Sequence, residues 1–135
     1  MKNNDLSNSV SPRIVLVAEN ALIYQREKSK KGRPVSGWVL YDDMVKRILW
    51  LFHKKDVHIE VVTYLGDDFA EALAEWLDDE MVPVSRVWST TPGALARNIA
   101  YMPDLACVYD PDPSRWLSYG SFGRFINDIN QLGEF

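Results

Sequence analysis

Val15-Leu16-Val17-Ala18-Glu19-Asn20-Ala21-Leu22-Ile23, VLVAENALI, is the stretch from which the architecture of this chain can be built. Val15 to Val17 continue an apolar, β-branched run that begins at Arg13, and Ala18-Glu19-Asn20 turns that run into a polar corner. A strand with no polar face belongs in the middle of a parallel sheet, buried on both sides. In open parallel sheets, ligands bind outside the carboxyl ends of the strands. The chain repeats this pattern: Val57 to Thr63 ends at Thr63-Tyr64-Leu65, and Leu105 to Tyr109 ends at Asp110-Pro111-Asp112. Three polar corners therefore gather at one end of the expected sheet.

The intervening residues supply the remaining elements. Ala21–Arg26 and Val35–Tyr41 read as extended segments around the basic turn Lys28–Pro34, which predicts a β-hairpin. Asp42 or Asp43 caps a helix whose apolar stripe is Met44, Val45, Ile48, Leu49, Leu51 and Phe52. Asp67 or Asp68 caps a second helix, with Phe69, Ala70, Leu73, Ala74, Trp76 and Leu77 on its inner side. Val84–Trp88 reads as a short strand, and Pro92 fits the first turn of a helix through Ala100. Phe122–Leu132 is helical in pattern. The expected fold class is α/β: a three-layer, Rossmann-like domain with a central parallel sheet and a β-hairpin flap after the first strand. Residues 1–12 read as a disordered polar tail and 13–135 as a single domain.

Bulk composition narrows the function classes. Of 135 residues, 47% are hydrophobic and 25% charged, ordinary values for a globular chain. The net charge of −4 gives no basic footprint for nucleic acid. Arg26–Arg33 is a local basic exception, read as a solvated loop, with a contact patch for an acidic partner as the alternative. No stretch reaches the roughly 18 apolar residues of a membrane span, and Met1–Asp5 lacks a secretory signal's apolar centre. The expectation is a cytoplasmic protein, with no nucleic-acid or membrane partner. The single Cys107 excludes an intramolecular disulfide and reads as a buried filler. His53 and His58 lack a partner at metal-site spacing.

Those three corners in this order, with a hairpin after the first strand, resemble the haloacid dehalogenase-like (HAD-like) phosphatase superfamily over residues 13 to 130. The resemblance implies a first strand ending in Asp-x-Asp, the first Asp accepting a phosphoryl group and the second serving as acid and base. Aligning the hydrophobic runs puts these positions at Ala18 and Asn20. IEVVTYLGDDFAEALAEWL resembles the segment whose Ser or Thr holds the phosphate, here Thr63. The family's phosphate-steadying Lys has no match, and Arg97 is the nearest cation. LACVYDPDPSRWLSYG resembles the segment whose acids bind magnesium, which makes Asp110 a candidate metal ligand and Asp112 a second acid.

The departures from that pattern carry the chemistry. Covalent phosphoryl transfer needs an oxygen nucleophile in line with phosphorus, and Ala18 offers none. Asn20 cannot exchange a proton near neutral pH. Strand alternation turns Glu19 away from the face of its neighbours. Magnesium wants several hard oxygens, so the expected cofactor is none, or weakly bound Mg2+. The expected function is a degenerate HAD-like domain without aspartyl-phosphate phosphatase activity, acting as a binding or regulatory protein. Its partner would be another protein or a phosphorylated small molecule. The alternative is an atypical metal-dependent phosphohydrolase using Asp110 and Asp112.

Overall fold

The computed structural model describes residues 12–28 and 34–125. The apolar runs form the strands β1 (Arg13–Val17), β4 (His58–Thr63), β5 (Arg86–Ser89) and β6 (Leu105–Asp110), joined by a short β7 (Gly123–Phe125). They make a five-stranded sheet in the order β5-β4-β1-β6-β7, every pairing being parallel. Parallel neighbours need crossover connections. The helices α1 (Asp42–Lys55), α2 (Asp67–Asp79) and α3 (Pro92–Asn98), with the short α4 (Pro113–Trp116), supply them. Two strands, β2 (Ile23–Gln25) and β3 (Trp38–Leu40), pair antiparallel as a separate hairpin directly after β1.

Alternation along the strands divides the core into two layers. Ile14, Leu16, Ile59, Val61, Cys107 and Tyr109 face one side, where Met44, Ile48 and Leu51 of α1 and Phe69, Leu73 and Leu77 of α2 pack. Val15, Val17, Val62 and Val108 face the other, against Leu95, Ile99 and Tyr119. The fold is therefore a three-layer, Rossmann-like α/β domain, as the runs of β-branched residues require. A charged side chain of β4 also faces the second layer. Glu60 is 2% exposed, paired with Arg13 at 3.2 Å and accepting from the Trp88 indole N–H at 2.6 Å, which offsets the cost of burying it.

Several boundaries differ from the sequence reading. The hairpin strands are shorter than expected, because only Ile23–Gln25 and Trp38–Leu40 are in register. Phe122–Leu132 was expected to be helical, yet Gly123–Phe125 extends the sheet beside β6. The ladder partner that β6 offers overrides a three-residue stretch's weak local preference. Residues 126–132 of that expected helix, and residues 1–11 of the expected tail, lie outside the described residues. Among the described residues, no helix is long and apolar enough to cross a membrane.

Candidate functional site

The sheet order sets the site. β1 is central, with β4 on one side and β6 on the other, so the corners after Val17, Thr63 and Asp110 stand next to one another. Helices leave β1's two neighbours on opposite faces, which makes the gap between β1 and β6 the topological switch point where such sheets bind ligands.

The first corner does not continue the strand's alternation. The Ala18 carbonyl accepts from the backbone N–H groups of Ala21, Leu22 and Ile23 at 3.2, 2.8 and 3.1 Å, a single tight turn. Asn20 within it has φ 67°, in the left-handed region that Asn tolerates better than most residues. The strand's two-residue period therefore runs through Ala18 and stops at the turn that the Ala18 carbonyl closes. Ala18 is fully buried in the core layer of α1 and α2, and Asn20 is exposed. Glu19 is the residue of this corner that reaches its neighbours. Its Oε1 accepts from the Thr63 hydroxyl, and its Oε2 accepts from the Tyr64 backbone N–H at 3.1 Å. The sequence reading had turned Glu19 away, on an alternation that the turn interrupts.

The second corner is organised around Thr63, whose side chain is fully buried. Its hydroxyl oxygen accepts from the Leu65 N–H at 3.2 Å while its proton goes to Glu19. Burial pushes the Glu19 carboxyl above its ordinary 4.5, against the opposing pull of Thr63, the Tyr64 N–H and Arg115.

The third corner holds a fully satisfied carboxylate. Asp110 is 0% exposed. Its Oδ1 accepts from the Asp112 N–H at 2.9 Å and from the Arg115 Nη2 at 3.1 Å. Its Oδ2 accepts from the Arg115 Nε at 2.9 Å and the Tyr119 hydroxyl at 2.8 Å. Tyr119 spends its proton there, so the Tyr64 hydroxyl, 2.8 Å away, is the donor to Tyr119. The Arg115 guanidinium lies over the Tyr64 ring at 5.0 Å, closing a ring of contacts through Tyr64, Tyr119, Asp110 and Arg115. Burial carries the Tyr64 phenol up to about 12 and drives Tyr119 higher still, so both stay protonated at neutral pH. Hydrogen bonding to Asp110 raises Arg115 in turn.

The other candidates fall outside this ring. Asp112 caps α4, accepting from the Ser114 N–H at 2.9 Å and hydroxyl at 2.7 Å. Those bonds hold its carboxyl below the usual range, and its contact with Arg115 is long, 3.5 Å. Arg97 is exposed in the last turn of α3, close to Gly93 of its own helix. Among the described residues, the cation that meets the site is Arg115. Its place was readable in Asp112-Pro113, a helix cap followed by Pro at the first helical position, since a short helix there carries Arg115 back over Asp110.

The fit to magnesium can be judged on the donors. Magnesium needs oxygens with free lone pairs in near-octahedral array, whereas both Asp110 oxygens are taken by Arg115, Tyr119 and a backbone N–H. Among the described residues, no group of three or more His, Cys, Asp or Glu is arranged to hold a metal. The site does not fit a resident Mg2+ ion at Asp110.

The class defined by fold and site is a doubly wound parallel α/β domain with a polar switch-point site. No family model and no solved structure matches the chain. A stretch is similar to tRNA pseudouridine synthase B of Bartonella tribocorum, 50% identical over 36 residues, covering 21% of this chain and 11% of that enzyme. The chain thus spans about a tenth of the length of that curated protein, and the likeness is confined to a short segment.

Proposed function

We propose that this chain is a degenerate HAD-like domain that binds a partner or ligand at the carboxyl end of its sheet and does not hydrolyse phosphate esters. The observation that carries this reading is the bidentate Asp110–Arg115 pair. The acid that the resemblance would give to a metal is neutralised by a guanidinium fork, a geometry that adds both energy and directional specificity. Ala18 supports it further, since a buried methyl group supplies no attacking oxygen. The buried carboxylate with its cation favours a fixed, preorganised surface over a reactive one, and function on such a fold resides in the site rather than in the architecture. The resemblance suggests a partner that is a protein or a phosphorylated small molecule.

The alternative, a metal-dependent phosphohydrolase built on Asp110 and Asp112, would have to break the Arg115 fork and uncap α4 before either acid could bind a metal. The deciding measurement is release of phosphate from a generic aryl phosphate with magnesium or manganese present. The expected result is no turnover above buffer. Metal-dependent turnover that vanishes in Asp112→Asn while the melting temperature is kept would overturn the proposal.

A further inference from the structure

We infer that the outer face of α1 and α2 is a docking surface for a second copy of this chain, with α1 of each copy lying on α2 of the other. This face is distinct from the carboxyl end of the sheet, so it does not depend on what binds there.

The two helices carry opposite charge. Beyond its first turn, α1 has Lys46, Arg47, Lys54 and Lys55 and no acid. Helix α2 has Asp67, Asp68, Glu71, Glu75, Asp78 and Asp79 and no Lys or Arg. A basic strip therefore lies beside an acidic one. Neither is neutralised from within: Lys46, Lys54, Lys55, Glu71, Glu75 and Asp78 are all exposed, and among the described residues no ion pair engages them. Apolar surface accompanies the charge. Trp50 of α1 is 40% exposed, with the Arg47 guanidinium 4.3 Å and the Lys55 ammonium 5.3 Å from its ring centroid. Met81, just past the end of α2, is 83% exposed. A large ring framed by cations suits an anchor against a partner's acidic helix.

The topology makes this face self-complementary. Helix α1 leads into β4 and α2 leads out of it, both on the same side of the sheet, so they lie next to each other and run the same way. A two-fold axis between and along them puts each α1 on the other copy's α2, an isologous contact that closes at two copies. With their starts aligned, Lys46 meets Glu71 of the second copy, Trp50 meets Glu75, and Lys54 meets Asp79. The acidic first turns, Asp42-Asp43 and Asp67-Asp68, repel in this pairing, which draws the contact toward the carboxyl-terminal halves of the helices.

The test is the mass of the full chain by sedimentation equilibrium, at about 10 mM salt, where charges act over about 30 Å, and at about 1 M, where they act over about 3 Å. The native chain should be dimeric at low salt, with the dimer weakened at least about tenfold at high salt. Two charge-reversed variants, Lys46→Glu/Lys54→Glu/Lys55→Glu and Glu71→Lys/Glu75→Lys/Asp78→Lys, each set like charges against like and should be monomeric alone. Mixed in equal amounts, they should form a one-to-one heterodimer. A monomeric native chain at low salt, a salt-independent dimer or a species larger than a dimer would overturn the inference. So would either variant dimerising as the native chain does, or a mixture that stays monomeric. Circular dichroism checks that both variants fold, and if one does not, the native chain's salt dependence still decides.

Discussion

Glu19 carries the most informative contacts of any single residue. Partial burial raises its carboxyl above 4.5, and the sign of the linkage follows. The folded chain holds the Glu19 proton more tightly than the unfolded chain does. The stabilising contribution is full below 4.5 and is lost as pH rises through the elevated folded value. Replacing Glu19 with Gln removes this titration while leaving a pH-independent offset from the changed hydrogen bonds. The melting temperature of Glu19→Gln minus that of the native protein should therefore be lowest in acid and climb toward neutral pH. Parallel curves across that range would show that Glu19 is not desolvated. Asp110 makes the contrasting case, because its carboxylate is fully buried but matched on both oxygens. Removing Arg115 there would strand a buried charge, the costliest way to break such a pair. Of these two acids, Asp110 was legible in the sequence as the end of an apolar strand. The orientation of Glu19 was not, because it depends on where alternation stops, and a one-residue difference reverses every side chain beyond it.

At the scale of elements, the strands β1, β4 and β6 were readable because burial on both faces leaves an unbroken apolar signature. Helices α1 and α2 were readable from stripes at three- and four-residue spacing, each with acids in its first turn. What stayed hidden was short. Strand β7 has three residues and no pattern of its own, and α4 has four residues, visible only through its Asp-Pro start. The hairpin shows how local geometry holds a small element. Gly37 has φ 85°, and a Cβ there would stand 2.3 Å from the Glu27 carbonyl oxygen. The Gly37 carbonyl in turn accepts from the N–H groups of Arg26 and Glu27 at 2.7 and 3.2 Å. Gly37→Ala should force this crossing apart, costing roughly 1–3 kcal/mol. The loss should appear in urea unfolding, together with a weakened near-ultraviolet signal as Trp38 leaves its edge-on contact with Phe69, in which the ring centroids are 5.4 Å apart.

The whole molecule is a sheet with two cores, one on each side, and the sheet belongs to both. Leu73 anchors the layer under α2, and Leu95 anchors the layer under α3, both fully buried. Leu73→Ala and Leu95→Ala should each cost about 2–5 kcal/mol. Because the strands are common to both layers, both variants should shift a single cooperative transition in denaturant, with matching curves from fluorescence and circular dichroism. Two separable transitions, one moved by each variant, would mean that the layers unfold independently.

Cys107 lies in β6 beside β1, fully buried within the sheet. With one thiol in the chain, any thiol reagent has a single address, and that address is sealed as long as the layer of α1 and α2 stays packed on the sheet. The rate at which a reagent modifies the intact protein therefore counts openings of the core layer between the sheet and α1 and α2. With closing faster than modification, that rate gives the free energy of opening directly. The molecule carries its own clock for the opening of the layer between its sheet and α1 and α2, readable without denaturant and without an added label.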